Sequence, residues 1–224
     1  AVSNGAKVIS DDGKTVLIDS KQWVEVWDSF RKWIHEDQIM RIHHGGQGWE
    51  YWYKTIDDVM KDNALGYTGS SGDQGDLDFT KLAATTQPGW GSHPSAPQAG
   101  ALVYVMPKGT DDKAAQGAFE FMEFYTNAKN TANWSMFTGY IPVRMSVESV
   151  PEYQAFTKDN PQALIPLKQA SFASQDFLDP TNGKIMDALK VAADQIQIQN
   201  VPAETALKQA AKKAQRALDR ANRS

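Results

Sequence analysis

The segment at residues 88–100 limits the folds open to this chain more than any other part of the sequence. Its three prolines and three glycines remove backbone donors and permit turns, so neither a long helix nor a central strand can run through it. Residues 101–106 follow as a short apolar run ended by Pro107 and Gly109, a pattern typical of a strand. The sequence therefore predicts an irregular connection and then a strand.

The regions on either side of this segment have helical periodicity. Ser20 is placed to cap a helix that runs to about residue 37, and Trp23, Trp27 and Phe30 lie on one of its faces. Gly139 is suited to the left-handed conformation that ends a helix. Further helices are predicted at about residues 49–63, 112–127, 130–137 and 203–220. The shorter predicted elements are a hairpin with strands at 7–9 and 16–18, and strands at 64–68 and 83–87.

The composition of the 224 residues excludes several classes of function. The chain contains no cysteine, which excludes disulfide scaffolds, thiol nucleophiles and cysteine-ligated metal sites. Its formal net charge of −4 is opposite to the basic field expected of a nucleic-acid-binding protein. No apolar run approaches the roughly 20 residues of a membrane-spanning helix. The amino-terminal residues lack the pattern of a signal peptide. This is compatible with a mature exported chain, from which the signal peptide has been removed.

The side chains suited to catalysis do not form a known catalytic pattern. The pair His43–His44 is adjacent, whereas a zinc site needs three or four converging ligands. Asp73, Asp76 and Asp78 offer carboxylates for a glycosidase, but sequence spacing does not fix the distance between two carboxylates. The string around residues 69–72 lacks the Gly-x-Ser-x-Gly nucleophile pattern, and the chain has no phosphate-binding glycine motif.

Loops suited to ligand binding are more prominent than catalytic motifs. Residues 69–73 offer hydroxyls and backbone N–H groups ahead of a possible helix start, which suits an anionic or hydroxylated ligand. Sites for sugars combine flat aromatic rings with hydrogen-bonding side chains. The rings that lie in or beside loops here are Trp49, Trp90, Tyr140 and Phe177.

Five segments, taken in chain order, resemble those of one protein family. They are the "DGK…DS" hairpin with its helix, "GYTGSSGDQGDLDF", "GALVYVMPKG" with two helices, "TGYIPVR" and "PAETALKQAAKKA". The chain resembles the carbohydrate-type extracellular solute-binding proteins of ABC importers, a family that includes maltose-binding and glycerol-3-phosphate-binding proteins. The resemblance covers nearly all 224 residues.

The resemblance implies an α/β fold of the type II periplasmic-binding-protein class, with two lobes and a helix-rich C-terminal half. Residues 1–99 are expected to form the first part of lobe 2, residues 100–138 a lobe 1 segment of one strand and two helices, and residues 139–224 a helical return to lobe 2. Family members are longer, and the part without a counterpart is the amino-terminal stretch that builds most of lobe 1. Residues 101–137 are therefore expected to expose apolar surface and to pair with that segment or to self-associate. The side chains expected on this surface are Leu102, Val103, Val105, Phe119, Met122 and Phe124.

The resemblance also implies a set of ligand-binding residues. The serines at 70–71 match positions at which relatives present hydroxyls, and Gly100 matches the crossing between lobes where the backbone approaches the ligand. Tyr140 matches an aromatic residue that lines the cleft, and Trp49 is a better ligand candidate than Trp52, which also fits a core stripe. The full candidate set is Trp49, Ser70, Ser71, Asp73, Trp90, Gly100, Tyr140, Arg144 and Phe177.

The implied function is a non-enzymatic substrate-binding component that works with ABC permease subunits, without a cofactor or a metal. The expected ligand is a sugar or oligosaccharide, held in an interlobe cleft by aromatic stacking and hydrogen bonds. Where glycerol-phosphate receptors carry an arginine, residues 174–183 contain Asp176 and Asp179, which favours a neutral sugar. The alternatives are a glycerol-3-phosphate or glycerophosphodiester receptor, a carbohydrate-active enzyme that uses Asp73, and a helical module that binds another protein. The expected location is periplasmic or extracellular, with a lipoprotein tether in the precursor as one option.

Overall fold

The computed structural model describes residues 1–223, and its regular structure in that range is helical. The α-helices are α1 (Lys21–His35), α2 (Glu50–Met60), α3 (Asp112–Tyr125), α4 (Ala128–Thr138), α5 (Pro151–Asp159), α6 (Ile165–Ala170), α7 (Lys184–Gln197) and α8 (Ala203–Ala221). Short 3-10 helices lie at Val2–Asn4, Ser71–Asp76, Met145–Ser149 and Pro161–Leu164. Within residues 1–223, no helix combines the length and apolarity that a bilayer crossing needs.

The helices predicted from periodicity are confirmed, with ends that differ by a few residues. Trp23 and Val26 are buried on α1, and α4 ends at Gly139, whose φ of 78° is left-handed as predicted. The N–H of Gly139 donates to the carbonyl of Ser135, which satisfies one of the last carbonyls of the helix. On α8, the buried stripe contains Leu207, Ala210, Ala211, Ala214 and Leu218.

The predicted hairpin near the amino terminus is present in a minimal form. Ile9 and Val16 form one antiparallel bridge, and the N–H of Leu17 donates to the carbonyl of Val8 at 2.8 Å. The side chain of Gln215 on α8 accepts from the N–H of Val16 at 2.8 Å. The turn is therefore held by the last helix as well as by its own backbone pairing.

The predicted strands at 64–68, 83–87 and 101–106 are wrong. In the described part of the chain the β pairing consists of isolated bridges, at Ile9–Val16, Trp90–His93 and Gln98–Ser174. Residues 101–106 are exposed, and Leu102 is fully exposed. An extended segment needs a hydrogen-bonded neighbour to be a stable strand, and the described residues provide none beside it.

The chain separates into two compact units. The first contains residues 1–51, residues 88–98 and the chain from Ala173 onward, and the second contains residues 52–87 and 99–172. The core of the first unit joins α1, α7 and α8 to the hairpin, around Ile18, Ile185, Ile196, Leu207 and Leu218. The smaller core of the second unit contains Ala132, Val147 and Tyr153. The lobe boundaries at residues 99 and 138 stay a prediction.

The second unit has a large uncovered apolar surface, as predicted for residues 101–137. We call it the apolar face; its exposed members are Leu102, Val103, Tyr104, Val105, Phe119, Phe121, Phe124, Trp134 and Phe137. Met122 is half-buried. The ring of Tyr104 meets those of Phe121 and Tyr125 with centroids 5.8 and 5.4 Å apart. Exposed apolar surface of this extent is unusual in a soluble monomer.

Candidate functional site

The carboxylate of Asp73 is the centre of a hydrogen-bond network in the second unit. Its Oδ1 accepts from the indole N–H of Trp52 at 3.0 Å. Its Oδ2 accepts from the hydroxyl of Tyr67 at 3.0 Å and from the backbone N–H of Ser70 at 3.1 Å. Asp73 is 5% exposed. A buried carboxylate is tolerated because several donors compensate for the lost water.

The serine loop, which we define as residues 69–76, is folded around this carboxylate. Ser70 and Asp73 form a capping box, in which the Ser70 hydroxyl accepts from the backbone and Asp73 accepts from the N–H of Ser70. Gly69 is closely enclosed, since a Cβ at this position would collide with Oδ2 of Asp73. A glycine-rich loop is therefore held in one conformation by a side chain of its own helical turn.

Tyr140 lies against the serine loop. A Cβ at Gly72 would lie 2.6 Å from Cζ of the Tyr140 ring, and a Cβ at Gly139 would lie 2.5 Å from the carbonyl oxygen of Ser71. The backbone of Tyr140 is fixed as well, because its carbonyl accepts from the Ser135 hydroxyl at 2.6 Å. Tyr140 is nevertheless 50% exposed. Two segments about 70 residues apart in the sequence thus combine an exposed ring with the hydroxyls of the loop.

Tyr67, Ser70 and Ser71 contribute hydroxyls to this region, and these hydroxyls differ in their surroundings. Burial and the neighbouring Asp73 carboxylate raise the pKa of the Tyr67 hydroxyl above its usual range, so this hydroxyl keeps its proton and its role as a donor. Ser70 is exposed and Ser71 is half-buried. Within residues 1–223, no hydrogen bond or ion pair joins Ser70, Asp73 or Tyr140 to a basic side chain.

Two other predicted residues of the second unit have different surroundings. Gly100 is exposed in the irregular segment that precedes the apolar face. The guanidinium of Arg144 donates to the carbonyl of Thr126, and its Nη2 also lies 3.4 Å from the Thr126 hydroxyl. Thr126 follows the last turn of α3, where a cation is favourable because helix carbonyls point outward. This geometry gives Arg144 a structural contact, and its predicted role in ligand binding stays a prediction.

The three predicted aromatic residues of the first unit differ in their surroundings. Trp49 is 67% exposed, beside the ring of Tyr51 at a centroid distance of 6.3 Å. Trp90 donates to the Glu25 carboxylate at 3.1 Å and lies among the rings of α1. Phe177 packs against the core of the first unit. Of the three, Trp49 has the exposure expected of a ring that contacts a ligand.

Trp52 and Tyr67 both donate hydrogen bonds to Asp73, and neither belongs to the candidate set predicted from the sequence. Trp52 also fits the apolar stripe of α2, and its half-buried position agrees with that. The available signal was the pattern Ser70-x-x-Asp73, which is typical of a capping box and indicates that the carboxylate is directed inward. The donors that come from other segments had no sequence signal. Among the described residues, no three His, Asp or Glu side chains converge as a metal site would need.

The fold is that of the type II periplasmic binding proteins, as solved structures show. UgpB from Mycobacterium tuberculosis, solved in complex with glycerophosphocholine, matches 98% of this chain with a TM-score of 0.79 at 20% sequence identity. The maltose/maltodextrin-binding domain MalE from Bdellovibrio bacteriovorus, bound to maltotriose, matches 100% of the chain with a TM-score of 0.70 at 16% identity. The match covers 54% of the first structure and 56% of the second.

The chain belongs to the bacterial extracellular solute-binding protein family, whose model matches residues 1–163. Curated relatives include the sn-glycerol-3-phosphate-binding periplasmic protein UgpB of Pectobacterium atrosepticum, which is 36% identical over 70 residues. The protein of the same name from Escherichia coli K12 is 33% identical over 64 residues. These alignments cover 31% and 29% of this chain, and 16% and 14% of the two relatives. The chain therefore spans about half the length of the solved structures it matches, and its curated alignments cover a smaller part.

Proposed function

We propose that this chain is part of the substrate-binding component of an ABC importer, and that its ligand is a sugar or oligosaccharide. The observation that carries the proposal is the contact of the exposed Tyr140 ring with the serine loop, which also contains the hydroxyls of Ser70 and Ser71. Family membership supports an extracellular or periplasmic receptor that works with membrane permease subunits. A lipoprotein tether of the precursor stays a prediction.

The chemistry of a sugar matches this combination. A pyranose ring has C–H faces that pack on an aromatic ring and hydroxyls at its rim that exchange hydrogen bonds with Ser hydroxyls and backbone groups. The serine loop contains the carboxylates of Asp73 and Asp76 and makes no hydrogen bond to a basic side chain within residues 1–223, so a neutral ligand is favoured over an anion. Trp49, Gly100 and Arg144 stay candidate ligand residues.

A glycerol-3-phosphate or glycerophosphodiester receptor is the second candidate. It is favoured by the 70-residue match to a glycerol-3-phosphate-binding protein and by the structural likeness to a protein bound to glycerophosphocholine. The sequence disfavours a phosphate ligand, because residues 174–183 contain two acidic residues. This effect is weaker for one of them, Asp179. Asp179 is engaged in capping α7, where its Oδ2 accepts from the N–H groups of Ile185 and Met186.

A ligand panel separates the two candidates. Binding is measured by calorimetry and by tryptophan fluorescence on the longest natural chain that contains residues 1–224. The panel contains maltose, maltotriose, glycerol 3-phosphate and glycerophosphocholine, each at low and high salt. We expect a neutral sugar to bind with little dependence on salt. Tight binding of glycerol 3-phosphate that weakens steeply with salt would select the second candidate instead.

The receptor proposal includes the absence of catalysis. The rival is a carbohydrate-active enzyme that uses Asp73, and it requires a carboxylate that substrate can reach. The 5% exposure of Asp73 and its three donors are unfavourable for that role. Oligosaccharide turnover that is lost in Asp73→Asn would support the enzyme. A helical module that binds only another protein would show no response to any sugar in the panel.

A further inference from the structure

We propose that Asp73 is a positioning residue for ligand binding, one that fixes the serine loop and the support of the Tyr140 ring without touching the ligand. This inference rests on the proposed function. It replaces the expectation that Asp73 itself contacts the ligand. In this proposal the carboxylate contacts only groups of the protein.

The burial of a charge at this position is the first reason. Within residues 1–223, Asp73 is the one acidic or basic residue that is buried. A buried carboxylate is costly unless hydrogen bonds compensate for it, whereas a neutral amide such as glutamine at this third position of a capping box can accept from the N-cap N–H without that cost. A capping function alone therefore does not explain why an aspartate is present.

The origin of the three donors is the second reason. The Ser70 N–H belongs to the loop, but the Tyr67 hydroxyl comes from the preceding extended segment and the Trp52 indole from α2, 21 residues away. One carboxylate thus joins three parts of the second unit. Because both oxygens are engaged, its position is fixed relative to all three parts.

The direct contact of the loop with Tyr140 is the third reason. Gly72 is adjacent to Asp73 and forms the surface on which the Tyr140 ring lies. Gly69, Gly72 and Gly75 make the loop flexible by composition, so its order has to come from side-chain contacts. Loss of the Asp73 hydrogen bonds is expected to make the loop hydroxyls and the support of the Tyr140 ring more mobile. Binding is then weaker, because the ligand has to order both.

The test compares Asp73→Asn with Val147→Ala. The asparagine side chain has nearly the same volume as the aspartate but turns an N–H₂ group toward donors that need an acceptor. Val147 is 1% exposed in the core of the second unit, so Val147→Ala lowers stability without altering the loop. Affinity for the tightest ligand of the panel is measured at a temperature at which circular dichroism shows every variant folded. Hydrogen exchange of the amides of residues 69–72 is measured without ligand.

We expect Asp73→Asn to weaken binding by about tenfold and to speed exchange of the loop amides, while Val147→Ala changes neither. Tyr67→Phe, which removes one donor, should weaken binding by roughly threefold. In a Tyr140→Ala background the effect of Asp73→Asn should shrink, because part of it acts through the ring. A residue with only a structural role would lower affinity equally in both backgrounds.

Several results would overturn the inference. They are wild-type affinity in Asp73→Asn, an equal loss in Val147→Ala, and loop exchange that does not change. If the wild-type protein binds no ligand of the panel, the proposed function fails. The exchange measurement still decides whether Asp73 fixes the loop, so the two failures are distinguishable.

Discussion

The ring of Tyr140 lies so close to the backbone of Gly72 that a side chain at residue 72 would collide with it, with a Cβ only 2.6 Å from Cζ. The glycine is therefore required by the approach of a ring from a distant segment. Its φ is not in the left-handed region, which separates this requirement from that of Gly139. The contact joins the serine loop to the segment that follows α4, and it makes the position of the exposed ring sensitive to the loop.

Gly72→Ala is expected to weaken ligand binding by about tenfold, because the added methyl group displaces the Tyr140 ring and overpacking costs about 1–3 kcal/mol. Calorimetry with the tightest ligand of the panel measures this. Gly66→Ala is the matched control, since a Cβ there meets nothing within 4 Å and the φ of Gly66 lies outside the left-handed region. Equal affinities of the two variants would show that the ring position does not matter for the ligand.

Tyr140→Ala is expected to weaken binding by roughly 1–3 kcal/mol, the range of a lost aromatic contact and a hydrogen bond. Thermal stability should change less, because the ring is half exposed. Tyr53→Ala, at an exposed position on α2, provides the control for the removal of a tyrosine ring. A large loss of melting temperature with unchanged affinity would instead assign the Tyr140 ring to packing.

Asp179→Ala is expected to lower the free energy of unfolding by about 1 kcal/mol, because the carboxylate caps the first turn of α7. Although partial burial opposes ionisation, hydrogen bonds from Thr181, Met186 and Ile185 hold the pKa of Asp179 below its usual value of 3.8. A depressed pKa in the folded state contributes stability above the unfolded pKa, and this contribution is lost as the pH falls through the folded pKa.

The difference between wild type and Asp179→Ala should therefore be complete near neutral pH, begin to decline near the unfolded pKa at about pH 4, and disappear once the pH is below the depressed folded pKa. Urea unfolding at a series of pH values measures it. Asp176→Ala is the control from the same loop, at an exposed residue that makes no hydrogen bond in the described part of the chain. A difference that stays constant down to the acid limit would contradict the capping role.

Residues 1–224 studied alone are expected to self-associate through the apolar face, because Val103 and Val105 are 76% and 77% exposed on an unpaired extended segment. The double substitution Val103→Lys and Val105→Lys should shift the chain toward monomer, as measured by analytical ultracentrifugation. Ile39→Lys, at a residue that is 74% exposed in the other unit, should have no such effect. A wild-type chain that is monomeric at all concentrations would refute the expectation.

The sequence by itself determined the parts of this protein that depend on neighbours along the chain. The apolar stripes of α1 and α8 follow from a 3.6-residue period, and the end of α4 follows from a glycine at residue 139. The serine loop could be placed beside an aromatic residue only through its resemblance to a family. Even so, the hydroxyls of residues 70–71 and the ring of Tyr140 were assigned to one region, and the second unit contains both.

Only the tertiary structure decided which residues support this region and which segments become strands. The hydrogen bond between Trp52 and Asp73 and the contact between Gly72 and Tyr140 join residues that are far apart in sequence, and no local pattern encodes such pairs. Residues 101–106 have the composition of a strand but no partner in the described chain, so they stay extended and exposed. Helices satisfy their hydrogen bonds within one segment and can be predicted from it, whereas strands and buried polar networks depend on partners that the fold brings to them.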